Sequence, residues 1–363
     1  MLNSHAAALL LPLLLLLSAC LPMTADAETP QGSHEGRLVV HGGRIVGLGP
    51  ADLEITNGTI TALGAVEPAG PQDSSYDATG KWLSPAFIDS HVHLAYLPAA
   101  REMARGGIAA AVDQAAPLSF LDTDQSPLRV RASGPMVTAL AGYPTRSWGS
   151  DGYGLECSNS AEAVAAVQQL VQAGADLVKL PVTGEPVLDP ASLRAAADAA
   201  HAAGLKVSSH ALSSAEASLA AEAGADLLAH TPVAPLSPKV IAQWSDRAVV
   251  STLRAFGGGA SARSNLASLA EAGATILYGT DFGNTRDAGI DGREIELMID
   301  AGLSPSRILA SGTTDPAAFW GFEDLGSLQP GKSGSFLVLD RDPLSDPLTL
   351  SASQAVFIDG IKK

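Results

Sequence analysis

Cysteine is nearly absent: two in 363 residues cannot build a disulfide framework, so the chain must be held together by core packing. One of them, Cys157, sits in the loop Gly152-Tyr-Gly-Leu-Glu-Cys-Ser158 with no base beside it, which leaves its thiol unactivated. Positive charge is also scarce. Against 38 Asp and Glu stand 22 Lys and Arg, the formal charge is −16, and no basic run occurs. Nucleic-acid binding needs clustered cations to neutralise phosphates, so that class of partner is excluded. A bilayer-spanning run of about twenty apolar residues is missing as well. Core-forming material is ample: 46% of residues are hydrophobic and 17% charged, enough for one large globular domain with a smaller companion.

The first twenty residues read as an export signal. Ala6 to Leu17 holds about twelve apolar residues interrupted by Pro12, too short to stay in a membrane. Leu17-Ser-Ala-Cys20 after it resembles the lipobox of bacterial lipoproteins, in which the cysteine is lipidated and becomes the mature N-terminus. Leu21 follows, not the aspartate associated with inner-membrane retention, so the expected location is the periplasmic side of the outer membrane, held by lipid alone. Met1 to His5 carries no Lys or Arg, and a cut near Ala25 or Ala27 giving a free secreted protein is the alternative. Residues 21–36 form a polar tether.

Beyond the tether, short β-like runs at 37–41, 44–47 and 52–63 are punctuated by Asn57-Gly58, a hairpin signal. Similar turn-punctuated runs recur at 326–340 and 355–359. Two β-rich ends around a different middle predict a single small satellite domain built from both termini, residues 37–80 and 323–363. The middle, 81–322, alternates short apolar strands with Ala-rich helices at 161–173, 191–203, 214–223 and 292–301, with glycine stops such as Ala203-Gly204 and Ala223-Gly224. Strands are expected at 82–89, 107–113, 136–142, 176–181, 206–210, 226–230, 248–253 and 275–281. That pattern predicts an α/β fold, a (β/α)8 TIM barrel. An open doubly wound sheet competes, but no glycine-rich phosphate loop follows a strand. Gly257-Gly-Gly259 has no helix after it with Lys or Ser/Thr in phosphate-binding spacing, and reads as loop flexibility.

Chemistry in such a barrel gathers at the C-terminal strand ends, and the candidates stand there. His91 and His93, i and i+2 at the end of Leu83-Ser-Pro-Ala-Phe-Ile-Asp-Ser-His-Val-His93, point the same way about 6.6 Å apart along the strand, close enough to share a cation. Lys179 lies near the end of the fourth strand, His210 ends the fifth, His230 the sixth and Asp281 the eighth. Four of the eight histidines share this rim, which scattered placement does not explain.

This set, with Val207-Ser-Ser-His210, Leu227-Leu-Ala-His230 and Tyr278-Gly-Thr-Asp281, resembles the metal-dependent amidohydrolase superfamily, most of all its imidazolonepropionase- and prolidase-like branch. Ile55-Thr-Asn-Gly-Thr-Ile-Thr-Ala-Leu-Gly64 and Gly326-Ser-Leu-Gln-Pro-Gly-Lys332 are typical of its satellite β-sandwich, which the resemblance implies for the domain built from both termini. The resemblance implies that His91 and His93 bind a more buried ion and His210 and His230 a more exposed one. It also implies that Asp281 contacts the buried ion and acts as general base, and that Lys179, carboxylated, bridges the two. Two Zn²⁺ per chain follow, or one if Lys179 is unmodified, because an ammonium would be repelled where a carbamate supplies two oxygens.

The implied reaction is hydrolysis of an amide or other C–N bond in a dipeptide, N-acyl amino acid or cyclic amide, by water activated on the metal. Ester or lactone hydrolysis on the same site, and a ligand-binding lipoprotein without turnover, are the alternatives. Adenosine-deaminase-like members carry a glutamate three residues after the fifth-strand histidine; here that position is Ser213, which weighs against deamination. The partner is then a small-molecule substrate, and self-association is left open. In the loops, Tyr143 and Arg146 after the third strand, Arg254 after the seventh and Arg286 after Asp281 are candidates to hold substrate; an arginine there would suit a carboxylate.

Overall fold

The computed structural model describes residues 36–363. The expected export signal, with Cys20, and the tether up to residue 35 lie outside the described residues. No helix among the described residues is long and apolar enough to cross a membrane.

Two sheets draw on both ends of the chain. In one, Arg37–His41 lies between Asp52–Thr56, which continues through the Asn57-Gly58 turn into Thr59–Gly64, and Ser74–Asp77. Asn57 and Gly58 both have positive φ, 49° and 78°, the geometry that tight hairpins require and that Asn and Gly tolerate. The other sheet joins Arg44–Ile45 and Trp82–Pro85 to Phe336–Leu339 and Ala355–Ile358. Leu53, Ile55, Ile60, Leu83, Phe336 and Phe357 of the two sheets share one buried apolar cluster, with the Phe336 and Phe357 rings stacked at 4.5 Å. The expected strand 82–89 is thus two elements. Trp82–Pro85 belongs to the terminal sheet, and Phe87–Val92 begins the central parallel strands.

Those central strands come in parallel groups rather than one uninterrupted ladder. Phe87–Val92, Ile108–Asp113 and Arg129–Ala132 form the first three; Leu177–Pro181, Lys206–His210, Leu227–Leu228, Ala248–Val250 and Thr275–Leu277 form the last five. Between the groups, Asp176 N–H donates to Ala132 O at 2.9 Å. From the last strand back to the first run Ser90 N–H to Tyr278 O, Asp281 N–H to His91 O and His93 N–H to Phe282 O, at 2.9, 2.9 and 2.7 Å. The result is a TIM-barrel-like α/β arrangement.

The third strand departs most from expectation. It starts at Arg129, breaks at Gly134-Pro135, and resumes as Met136–Ala139 beside an unexpected parallel strand, Gly154–Cys157. Pro135 offers no N–H to a ladder, and Gly134 turns through φ 64°.

The central strands are buried on both faces, as Ile108-Ala-Ala-Ala-Val-Asp113 illustrates, because helices cover their outer side. Helix starts carry their own signals. Asn159, Asp189 and Asp291 accept backbone N–H groups of the helices Ser160–Gln172, Pro190–Ala202 and Gly292–Asp300, and Ser213 forms a capping box with Glu216 ahead of Ser214–Ala223. A helix that the sequence does not announce, Ala260–Ala272, follows the glycine run, with Gly259 as its cap. Its first turn contains no lysine.

Candidate metal centre

The first strand delivers two imidazoles to one point because every residue of Phe87–Val92 is buried and the side chains at 91 and 93 share a face. His91 Nε2 and His93 Nε2 lie 3.3 Å apart. Asp281 Oδ1 stands 3.5 Å from the first and 3.1 Å from the second, so three ligand atoms fall within 4.8 Å of one another. His91 Nδ1 lies 2.8 Å from Ala229 O, which places a proton on Nδ1 and leaves the Nε2 lone pair facing the cluster.

The fifth and sixth strands bring the other pair to the same cavity. The His230 ring stacks on His91 at 4.4 Å and meets the His210 ring edge-on at 4.7 Å. His230 Nδ1 is 3.1 Å from Thr252 Oγ1, a side-chain partner that orients the ring. Lys179, buried at the fourth strand, donates from Nζ to Gln114 Oε1 at 3.1 Å. Asp281 has φ 53°, uncommon for a residue with a Cβ, and is held there by its surroundings. Asn284 Nδ2 donates to Asp281 Oδ1 at 3.0 Å, and the preceding Thr280 donates through N–H and Oγ1 to the buried carboxylate of Asp89.

Electrostatics favour cation binding. Burial first, then the nearby Lys179, holds His210 down at about 3; burial likewise keeps His91 and His230 well below the ordinary histidine range. These rings are therefore neutral and can donate lone pairs. Burial also lowers Lys179 to about 7, against the pull of Asp281 and Asp113, so its amine is substantially uncharged near neutral pH. His93 Nδ1 is buried with no hydrogen-bond partner. Imidazole nitrogens gathered beside a carboxylate, His91 Nε2 and His93 Nε2 with Asp281 Oδ1, are the donor set of a divalent-metal site.

The cavity has a volume of about 490 Å³, and all six expected ligand positions line it. Tyr143 lines it too, stacked on His210 at 4.9 Å with its hydroxyl accepting from Trp148 Nε1 at 2.8 Å; burial pushes that phenol up to about 12. The three arginines are not brought in. Arg254 opens the short turn Arg254–Phe256, in which Ala255 and Phe256 face the cavity while the guanidinium pairs with Asp287 and Asp291. Arg146 and Arg286 are exposed and absent from the cavity lining. Cys157 is buried, and burial raises its thiol to about 11, so it is inert.

Several contributors carry no sequence signal of their own. Trp148 sits 5.2 Å from the His93 ring and walls the cavity, yet it lies in a polar loop. Gln114 and Asp89 are buried polar residues inside apolar runs, which is the one hint available. Gly279 is required because a Cβ there would come within 2.3 Å of Val250 Cγ1 and 3.2 Å of His91 Cβ.

The Amidohydrolase family model matches residues 82–362. Among solved structures, a Xaa-Pro dipeptidase with methionine bound in its active site superposes with a TM-score of 0.77 at 19% identity, over 90% of this chain and 100% of that one. A putative prolidase from Bifidobacterium longum gives a TM-score of 0.76 at 24% identity, over 91% and 95%. At these identities the likeness is one of fold. A local match to the adenine deaminase of Moorella thermoacetica, 40% identical over 62 residues, spans 15% of this chain and 10% of that protein's length. The chain belongs to the amidohydrolase family of metal-dependent hydrolases, enzymes that act on carbon–nitrogen bonds.

Proposed function

We propose that the chain hydrolyses an amide or related C–N bond of a small molecule with two zinc ions, held by His91, His93 and Asp281 on one side and His210 and His230 on the other. In this reading Lys179, as a carbamate, would help hold both. The observation that carries it is the approach of His91 Nε2, His93 Nε2 and Asp281 Oδ1 within one buried cavity that His210, His230 and Lys179 also line. Divalent ions there would lower the pKa of water to about 7 and polarise the scissile carbonyl.

The chain's own groups do the rest. Asp281 receives the proton of the attacking water and returns it to the departing amine, and Asn284 on Oδ1 keeps that carboxylate in place. Burial lowers Lys179 to about 7, which gives it a substantial neutral fraction near neutral pH, and a neutral amine can add carbon dioxide where an ammonium cannot. Tyr143 and Trp148 cover the His210 and His93 rings and keep bulk water from the reacting centre. The capping box at Ser213 occupies the place where a deaminase-like glutamate would stand, which supports hydrolysis over deamination.

We read the whole as a (β/α)8 barrel, with a β-sandwich made of residues 37–80 and 323–363 together with Trp82–Pro85. The hydrogen bonds from the last strand to the first and the apolar cluster shared by the terminal sheets support this. Residues 1–20 we read as a lipoprotein signal that exports the enzyme and anchors it through Cys20.

Hydrolysis of dipeptides, N-acyl amino acids, cyclic amides and lactones should be screened with Zn²⁺ and bicarbonate supplied, alongside metal analysis. Two ions per chain with amide turnover are expected, and Lys179→Ala should lower the count to one or none and abolish turnover. Full metal content and activity in that variant would contradict the bridging role.

A further inference from the structure

We infer that the substrate carries no charge away from its scissile group: an amide with an aromatic or bulky apolar substituent, not a dipeptide or N-acyl amino acid with a free carboxylate. This rests on the hydrolase reading above and narrows it. Apart from the six ligand positions, the cavity is lined by Met136, Tyr143, Ser147, Trp148, Ala255, Phe256 and Asn284. None of these is a cation.

The only basic side chain in the lining is Lys179, which is buried against Gln114 at the base of the ligand cluster and, in the reading above, is taken up by the metals as a carbamate. Arg254, best placed by sequence to meet a carboxylate, is neutralised by two aspartates, and one of them, Asp291, is fixed as the cap of the helix Gly292–Asp300. Releasing that guanidinium would leave the buried Asp291 carboxylate with its cap hydrogen bonds but no counter-cation, so it is not spare binding capacity. A carboxylate seated against the aromatic wall would lose hydration and gain no cation in return, whereas an apolar ring would lose nothing.

The wall also suits a flat apolar group. The Phe256 ring meets His230 edge-on at 4.7 Å, Trp148 meets His93 at 5.2 Å, and Tyr143 stacks on His210 at 4.9 Å. Together they ring the ligand cluster with aromatic faces and edges, which pair with another ring at such separations. The indole N–H is already spent on the Tyr143 hydroxyl, so the wall offers stacking and the neutral Tyr143 O–H as a donor, but no charge to offset that of an anion.

The test is a matched pair that differs only in a remote charge: acetanilide and 4-acetamidobenzoate, with their amine products aniline and 4-aminobenzoate. The zinc-loaded enzyme should show kcat/KM at least about tenfold higher for acetanilide, and aniline should bind about tenfold tighter than 4-aminobenzoate by quenching of tryptophan emission. Trp148→Leu should raise KM for acetanilide several-fold without changing metal content, and Phe256→Arg should shift the preference toward the carboxylate member. Equal or better binding or turnover of the carboxylate compound overturns the inference, as does failure of the neutral ligand to bind at all. Preference for aniline without turnover of either amide would sink the hydrolase reading instead.

Discussion

Asp89 shows how a residue that touches no candidate ligand atom can set the geometry of the site. Its buried carboxylate accepts from His91 N–H at 3.0 Å, Thr280 N–H at 3.1 Å and Thr280 Oγ1 at 2.6 Å, tying the first strand to the turn that presents Asp281. Asp89→Ala leaves these buried donors unpaired, at about 1–3 kcal/mol each in stability. It should also weaken metal binding by roughly 10–100-fold, as loss of an outer orienting partner does; chelator competition measures it, and unchanged affinity would deny Asp89 that role. Gly283 works at the same scale by what it lacks. With φ 115°, and with a Cβ that would come within 2.7 Å of His93 Cβ, it admits no side chain. Gly283→Ala should lower the melting temperature and reduce metal content together, whereas Gly174→Ala, at φ 82° with open space around it, should cost stability without touching the metal.

Among the elements, the turn Arg254–Phe256 and the helix Gly292–Asp300 are bound into one rim of the cavity. Glu294 accepts from Leu253 N–H at 3.0 Å and Arg254 N–H at 2.7 Å while fully buried, and burial raises its carboxyl to about 7 against those hydrogen bonds. A carboxyl whose pKa is raised on folding adds stability that is complete below its unfolded pKa of 4.5 and is lost as pH rises through about 7. At about 1.4 kcal/mol per pH unit, roughly 3 kcal/mol should disappear across that window, and Glu294→Gln should flatten this part of the stability profile. Denaturant melts at stepped pH would show it, and an unchanged slope would contradict it. This rim is also where the sequence misleads. Arg254 follows an apolar strand and looks free, because nothing in its neighbourhood of the chain reveals that Asp291, 37 residues later, packs beside it. The helix Ala260–Ala272 is hidden by the glycine run before it, and the third strand is divided by a proline whose effect on pairing is visible only when its neighbours are known.

Over the whole molecule, the legible part is the part written in local patterns. Apolar runs that end in His93, His210 and His230 mark strand ends, and the Asn57-Gly58 turn marks the terminal sheet, because burial and φ constraints act on neighbours in sequence. The aromatic wall and the fate of the three arginines depend on which loops meet, and that depends on distant pairings. Both ends of the chain are needed to complete one sheet: Phe336–Leu339 pairs with Trp82–Pro85, so removing residues 333–363 would strip the partner from the strand that leads into His91. Such a truncation should lose metal binding along with the terminal sheet, read by metal analysis of whatever soluble protein is recovered; full metal content would contradict the coupling. The most direct test of the centre itself is anomalous diffraction from zinc-loaded crystals, collected above and below the zinc absorption edge. Two peaks are expected in the cavity, one on His91, His93 and Asp281 and one on His210 and His230, with Lys179 density extended by a carboxyl between them. No peak in that cavity, or zinc bound by other residues, would contradict it.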